Sequence, residues 1–358
     1  MGPQWMPVAV MDHFYRGGAA IAALRGGPVR CERSPEEWLA SVTPRFGTTS
    51  DGLSRMADGT LLRDAVAADP PAWLGQDHLA RFGPQPELLV KLLDAGERLP
   101  VHLHPDRPFA ERHLSCGHGK TEAWVVLDAS EDTTAHLGFS VPVGRTELAG
   151  LVERQDTGGL LARMHEIPLR RGDTVVVPAG VPHVLGAGAF VLEVQEPTDF
   201  SILLDWDGYA LDGPREGHLG LGFDVALEAV RRTPLSAEEV AALRVPAALS
   251  AEPAEQPRPL LSPEAAPFFR ADLLRAPEAS STEIPVGYGV LVVLDGFGAL
   301  ADSGGEMHAL ARGDVVALPY SAGHLRLSGG ATAVLCRPPE PADPGAPDAG
   351  APSTTAPT

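Results

Sequence analysis

His102 and His104 stand two residues apart in the segment Val101-His102-Leu103-His104. Along a strand, side chains at i and i+2 point the same way, so both imidazoles can reach one ion. Glu122 lies eighteen residues after His104, at the start of an apolar run, and His183 follows a Gly172-Asp173 turn, a β-favouring stretch and Pro178. Three imidazoles and a carboxylate form a hard-to-borderline donor set. It suits Zn²⁺ and also accepts Mn²⁺, Fe²⁺ or Co²⁺. His102, His104, Glu122 and His183 are therefore the candidate metal ligands. A second signal is scarcity: of 28 basic residues only two are lysines, Lys91 and Lys120. In so arginine-biased a chain, a retained lysine suggests a need for a compact ammonium group.

Such a set needs strands to position it. From residue 99 onward, short apolar runs alternate with Gly and Pro turns, at 100–104, 123–127, 135–139, 174–177, 189–195 and 201–204. Short strands at this spacing read as a sandwich or barrel. Helical patterns interrupt at 60–68, 145–153 and 159–165, and again in two pieces within 224–244, split at Pro234. Residues 245–260, rich in Pro, Ala and Glu, read as a linker.

The pattern at Gly172-Asp173, Pro178 and His183 returns at Gly313-Asp314, Pro319 and His324, with eleven positions from Gly to His in both. A repeat of this size points to two copies of one fold. The unit resembles the second motif of the cupin fold, a small barrel with a His at its mouth. The second copy lacks a His-x-His; its candidate earlier strand, 287–294, carries no ligand, so His324 reads as a structural histidine. His113, His118, His136, His165 and His218 lie on polar or turn segments and read as surface residues.

Bulk properties bound the function. The chain has 358 residues and a net charge of −19, which argues against nucleic-acid and anionic-membrane partners, since both need a basic surface. Three scattered cysteines, Cys31, Cys116 and Cys336, suggest neither a disulfide framework nor a zinc-thiolate cluster. No signal peptide and no apolar run long enough to span a membrane is evident, so a cytoplasmic protein is expected.

Several blocks together resemble the class I, zinc-dependent mannose-6-phosphate isomerases, and identify the chain as similar to a diverged bacterial-type member. Leu99 to Asp106 resembles their L-S-x-Q-x-H-P-D; Gly119-Lys120-Thr121-Glu122-Ala123-Trp124 resembles G-K-x-E-x-W; Pro178 to His183 resembles P-A-G-x-x-H; and Glu193-Val194-Gln195 resembles E-x-Q. Residues 89–94 match the lysine-bearing strand before the first block, and 38–41 resemble the segment after the N-terminal strand. The likeness runs from about residue 14 to 337.

The resemblance implies an all-β fold of tandem cupin barrels (double-stranded β-helix, or jelly-roll) with a few short helices. It divides the chain into an N-terminal segment completing the first barrel (1–84), a metal-binding barrel (85–206), a helical connector and linker (207–260), a metal-free barrel (261–338) and a disordered tail (339–358). It implies one Zn²⁺ per chain on His102, His104, Glu122 and His183, with Lys91, Lys120 and Glu193 lining a sugar pocket and Lys120 and Glu193 as the candidates for moving the proton. The implied reaction interconverts mannose 6-phosphate and fructose 6-phosphate through an enediol or enediolate, with a small sugar phosphate as the partner and no signal for a particular oligomer. Three departures stand out. His102 replaces a Gln, Pro100 replaces a Ser, and Ile202-Leu203 stands where the family has an arginine. An aliphatic side chain cannot bind phosphate; Arg215 or Arg170 are the cations that could replace it. The same residues also admit an isomerase or epimerase of a different or unphosphorylated sugar, or a non-catalytic sugar-binding cupin. Three histidines and one glutamate also suit a non-haem Fe²⁺ dioxygenase, in which the two lysines have no task.

Overall fold

The computed structural model describes residues 1–277, 280–302 and 304–341; most of the expected tail, residues 342–358, lies outside them. The protein is mostly antiparallel β-sheet, in four sheets that form two pairs. The first pair joins a seven-stranded sheet to a five-stranded one. The larger runs in the order Arg244–Val245, Thr174–Val177, Glu122–Asp128, Phe190–Gln195, Leu89–Asp94, Glu36–Leu39, Val10–Met11; the smaller runs Ile202–Leu203, His102–Leu103, His183–Leu185, Thr134–Phe139, Met164–Pro168. The second pair repeats the plan. Its six-stranded sheet runs Gln4–Trp5, Val315–Leu318, Gly289–Asp295, Thr332–Arg337, Arg270–Arg275, Arg258–Pro259, and its four-stranded sheet Ser281–Ile284, Leu325–Gly329, Phe297–Ala301, Met307–Ala311.

The repeat extends to single hydrogen bonds. Gly172 and Gly313 both take the left-handed conformation, at φ 92° and 89°, which glycine adopts without steric penalty. Asp173 accepts the N–H of Arg170 and Asp314 that of Ala311, closing the same turn. The N–H of Gly172 reaches Val126 O and that of Gly313 reaches Val293 O, at 2.8 and 2.9 Å. Strand order corrects one expectation. The counterpart of the His102 strand is Ser281–Ile284, while 287–294 corresponds to the strand that opens with Glu122. His324 is exposed just before Leu325–Gly329, not packed as a structural histidine, whereas His183 is fully buried.

Alternation explains how the pairs associate. Val90, Leu92 and Val194 from the first large sheet share one core with Val290, Val292 and Val334 from the second. Their neighbours Lys91, Glu193, Leu291 and Val293 point the other way, because successive side chains alternate between faces. Burial on both faces accounts for near-continuous apolar runs such as Thr174–Val177.

The N-terminal segment divides between the units. Val10–Met11 and Glu36–Leu39 extend the first large sheet, but Gln4–Trp5 pairs with Val316 and Ala317 of the second. The linker is also engaged: Val245 pairs with Thr174, and Thr174 Oγ1 donates to Leu260 O at 2.7 Å. The helix expected over 60–68 forms at Leu62–Ala68, and Arg145–Glu153 forms as expected. The first of these ends at Ala68, before Asp69-Pro70-Pro71; Asp69 then caps a new helix, Pro70–Leu74, whose first turn holds the prolines, since proline lacks only an N–H that this turn leaves unbonded anyway. The 159–165 pattern splits into helix Thr157–Leu161 and strand Met164–Pro168. No helix among the described residues is long and apolar enough to cross a membrane.

Candidate metal centre and pocket

Pairing brings the three histidines together. His183 is directly opposite His102 on neighbouring antiparallel strands, and His104 follows two residues after His102. Their ligand atoms all lie within 4.8 Å of one another. Each Nδ1 faces a backbone carbonyl: His102 with Pro100 O at 2.8 Å, His104 with Phe200 O at 2.7 Å, His183 with Val181 O at 2.9 Å. A carbonyl only accepts, so Nδ1 carries the proton and Nε2 presents its lone pair to the cluster. The Pro100 substitution therefore leaves the centre intact, because the main chain at that position orients His102.

Glu122 reaches the cluster from the facing sheet. Its Oε2 is 2.9 Å from His104 Nε2 and its Oε1 3.4 Å from His183 Nε2. Burial pushes the His104 and His183 imidazoles down to about 3 and holds His102 well below its ordinary value, so all three are neutral. Burial alone would raise Glu122; the Lys120 ammonium overcomes it and holds the carboxyl well below the usual range. Lys120 Nζ sits 2.5 Å from Glu122 Oε2 and 2.8 Å from His104 Nε2. His183 Nε2 is buried without a hydrogen-bond partner. A buried lone pair beside two more imidazoles and an ionised carboxylate fits a divalent cation.

The remaining polar groups come from one row across the large sheet. Trp38, Lys91, Glu193 and Trp124 are cross-strand neighbours in register on four adjacent strands. Glu36 and Glu122, each two residues before a Trp, share that face. The indole N–H groups fix both carboxylates: Trp38 donates to Glu36 at 2.8 Å and Trp124 to Glu122 at 3.0 Å. Lys91 Nζ stands 3.5 Å from Glu36, 3.5 Å from Asp199 and 3.8 Å from Glu193, over the Trp38 ring. Burial works against this ammonium, but Glu36, Asp199 and Glu193 outweigh it and raise Lys91 above its ordinary value. Glu193 behaves oppositely. Burial, helped by the Glu122 charge, pushes it up to about 7. Its Oε1 has no hydrogen-bond partner, with Lys120 Nζ 3.7 Å away.

All of these groups except His183 and Trp38 line one cavity of about 630 Å³. Sequence reasoning missed several of its residues: His13, Tyr15, Glu36, Arg45 and Asp199. Tyr15 OH donates to Glu36 at 2.5 Å, and Glu36 in turn holds Lys91. The E-x-W of Glu36-Glu37-Trp38 repeats that of Glu122-Ala123-Trp124, and that recurrence was the available signal. The five histidines read as surface residues stay outside the cluster. His118 bonds to Glu87 at 2.7 Å, and bonding to Cys116 and Glu87 raises it to about 10. His113 contacts the Phe109 ring at a tilt, His136 lies 4.0 Å from Glu166, His165 bonds Leu235 O and His218 accepts from Gly222 N. Arg170 is engaged with Glu131 O and Leu169 O and does not line the cavity.

No family model matches the chain. The mannose-6-phosphate isomerase ManA of Bacillus subtilis is 27% identical over 89% of this chain and 94% of its own length. The chain is thus similar to a mannose-6-phosphate isomerase over nearly its whole length. GmuF of Bacillus subtilis, named a probable mannose-6-phosphate isomerase, is 34% identical over 51% of this chain, and the enzyme of Streptococcus mutans 30% over 51%. The matched stretches span about half the length of these two relatives, 55% and 54%. The crystal structure of the Bacillus subtilis mannose 6-phosphate isomerase superposes with a TM-score of 0.73 at 23% identity, covering 94% of this chain and all of that one. A mannose 6-phosphate isomerase structure bound with zinc and yttrium covers 95% of this chain at 16% identity and a TM-score of 0.70. At these identities the superpositions establish the shared fold.

Proposed function

We propose that the chain is a metal-dependent aldose–ketose isomerase that interconverts mannose 6-phosphate and fructose 6-phosphate, built on tandem cupin barrels. The observation that carries the reading is the convergence of three neutral imidazoles and Glu122 with Lys120 and Glu193 at the wall of one cavity. The names of the relatives point to the same reaction. His102, His104, Glu122 and His183 would hold one Zn²⁺, which when bound supplies Lewis acidity toward a sugar carbonyl.

The chain's own residues then move the proton. Glu193, with its free oxygen and raised pKa, takes the C2 proton of the open-chain aldose. The electron pair released forms the C1=C2 bond, and negative charge develops on the former carbonyl oxygen. The Lys120 and Lys91 ammonium groups stabilise that charge. Glu193 returns the proton to C1, and transfer of the remaining hydroxyl proton completes the ketose. A base near pH 7 suits this task, and such transfer contributes about 10²–10⁴ in rate. Asp199 and Glu36 keep Lys91 charged and in place.

The test is turnover of mannose 6-phosphate to fructose 6-phosphate by chain stripped of metal and then reloaded with Zn²⁺, beside free mannose. Metal-restored turnover of the phosphorylated sugar is expected. Turnover of free mannose alone would shift the substrate, and turnover of neither with metal bound would end the isomerase reading.

A further inference from the structure

Four cationic side chains line the cavity, Arg45, Lys91, Lys120 and Arg215. Lys91 and Lys120 are surrounded by Glu36, Glu122, Glu193 and Asp199. A dianionic group placed among those carboxylates would be repelled. Arg45 pairs with Asp51 at 3.3 Å and donates to Asp12 O at 2.7 Å. Arg215 has no side-chain partner among the described residues, so its planar fork of donors is open to the cavity.

The placement of Arg215 is fixed by its neighbours. It stands on the one-turn helix Gly213–Glu216, and the carbonyl of the next residue, Gly217, accepts the N–H of Leu203 at 2.8 Å. Leu203 lines the cavity as the cross-strand neighbour of His102 and offers nothing to an anion. A Cβ on Gly213 would meet the Trp206 ring at 2.0 Å; one on Gly217 would meet Gly213 O at 2.8 Å and Leu203 Cβ at 3.3 Å. The helix is thus seated tightly on the strand that carries Leu203, and through it on the strand of His102. Glu216, next in sequence, also lines the cavity.

We propose that Arg215 binds the phosphate of the sugar substrate and makes the pocket select phosphorylated over free sugars. This rests on the isomerase reading. A guanidinium grips phosphate through paired N–H donors, a geometry lysine lacks. Glu216 opposes the dianion and limits its affinity.

The experiment compares metal-loaded wild type with Arg215→Leu, Arg215→Lys, Glu216→Gln and Arg170→Leu. It reads KM and kcat for mannose 6-phosphate and competitive inhibition by inorganic phosphate. Arg215→Leu is expected to raise KM and weaken phosphate inhibition at least ~10-fold with kcat little changed. Arg215→Lys should fall between, Glu216→Gln should lower KM, and Arg170→Leu should behave as wild type. Unchanged KM and phosphate inhibition in Arg215→Leu would overturn the assignment. Should wild type turn over no sugar phosphate, the isomerase reading fails separately. Calorimetric binding of mannose 6-phosphate to wild type and Arg215→Leu then still decides, equal affinities overturning the role of Arg215.

Discussion

Lys91 and Glu193 oppose each other on neighbouring antiparallel strands, with Nζ and Oε1 3.8 Å apart, yet their environments drive them in opposite directions. Lys91 has three carboxylates around it and stays charged; Glu193 is pushed up to about 7 by burial, with the Glu122 carboxylate adding to it. Environments that separate two titrating groups assign acid and base roles. Glu193→Gln is therefore expected to lower kcat by about 10²–10⁴ while metal content and sugar binding persist. Loss of sugar binding in step with turnover would instead make Glu193 a binding group.

The same shift sets a pH dependence. Glu193 acts as a base only when ionised, so kcat/KM should rise with pH through a limb at or below about 7, lower in the loaded protein because a dication favours the carboxylate. The limb should be missing from the residual activity of Glu193→Gln. Stability moves the other way. A carboxyl whose folded pKa lies above its unfolded value binds more protons when folded, so stability falls as pH rises from about 4.5 to about 7. In metal-free protein, the Tm advantage of Glu193→Gln over wild type should grow between pH 5 and pH 8, as read by thermal melts.

Lys120 Nζ lies 2.5 Å from Glu122 Oε2 and 2.8 Å from His104 Nε2, two of the atoms proposed to hold the metal. Removing an ammonium there removes a competitor and a repulsive charge. Lys120→Met should keep or tighten zinc binding while losing turnover at least ~100-fold. A fall in zinc affinity, measured by competition with a chelator, would contradict that placement.

Asp205 touches no ligand, but its buried carboxylate accepts from Val101 N, from Arg98 at 2.7 Å and from Thr157 at 2.9 Å. It anchors the residue before His102. Asp205→Ala leaves a buried N–H unpaired, a cost of about 1–3 kcal/mol. Zinc affinity should drop about 10–100-fold, as for other groups that orient ligands. Chelator competition and thermal melts read the two effects separately; unaltered zinc affinity would rule out a positioning role.

The convergence of the candidate ligands was legible because its signals are local: i and i+2 on a strand, a turn glycine at fixed distance from a histidine, a Glu-x-Trp. The second half of the cavity was not, because His13, Tyr15 and Glu36 approach Lys91 through the pairing of Glu36–Leu39 with Leu89–Asp94, a contact no local pattern announces. The counterpart of the His102 strand was misplaced for a similar reason. That strand is two residues long and carries no periodicity of its own. Asp69-Pro70-Pro71 closes the helix that ends at Ala68, as its sequence indicates, and the same residues also open the next one. The Arg215 helix, four residues long, has no sequence signature; only its contact with Leu203 shows where it stands.

Gln4 and Trp5 pair with Ala317 and Val316, while Val10 and Met11, a few residues later, pair with the metal-bearing unit. On a ribosome, the second pairing can form once residues 36–39 have emerged, but the first must wait for more than 270 further residues. The nascent chain therefore carries an unpaired edge through most of its synthesis, beside the very segment that supplies His13 and Tyr15 to the cavity. Closing so long a loop is slow and leaves strand edges open to wrong partners. That pairing clasps two segments far apart in the sequence, and an affinity tag fused ahead of Gln4 would delay the clasp more than one placed after the final strand.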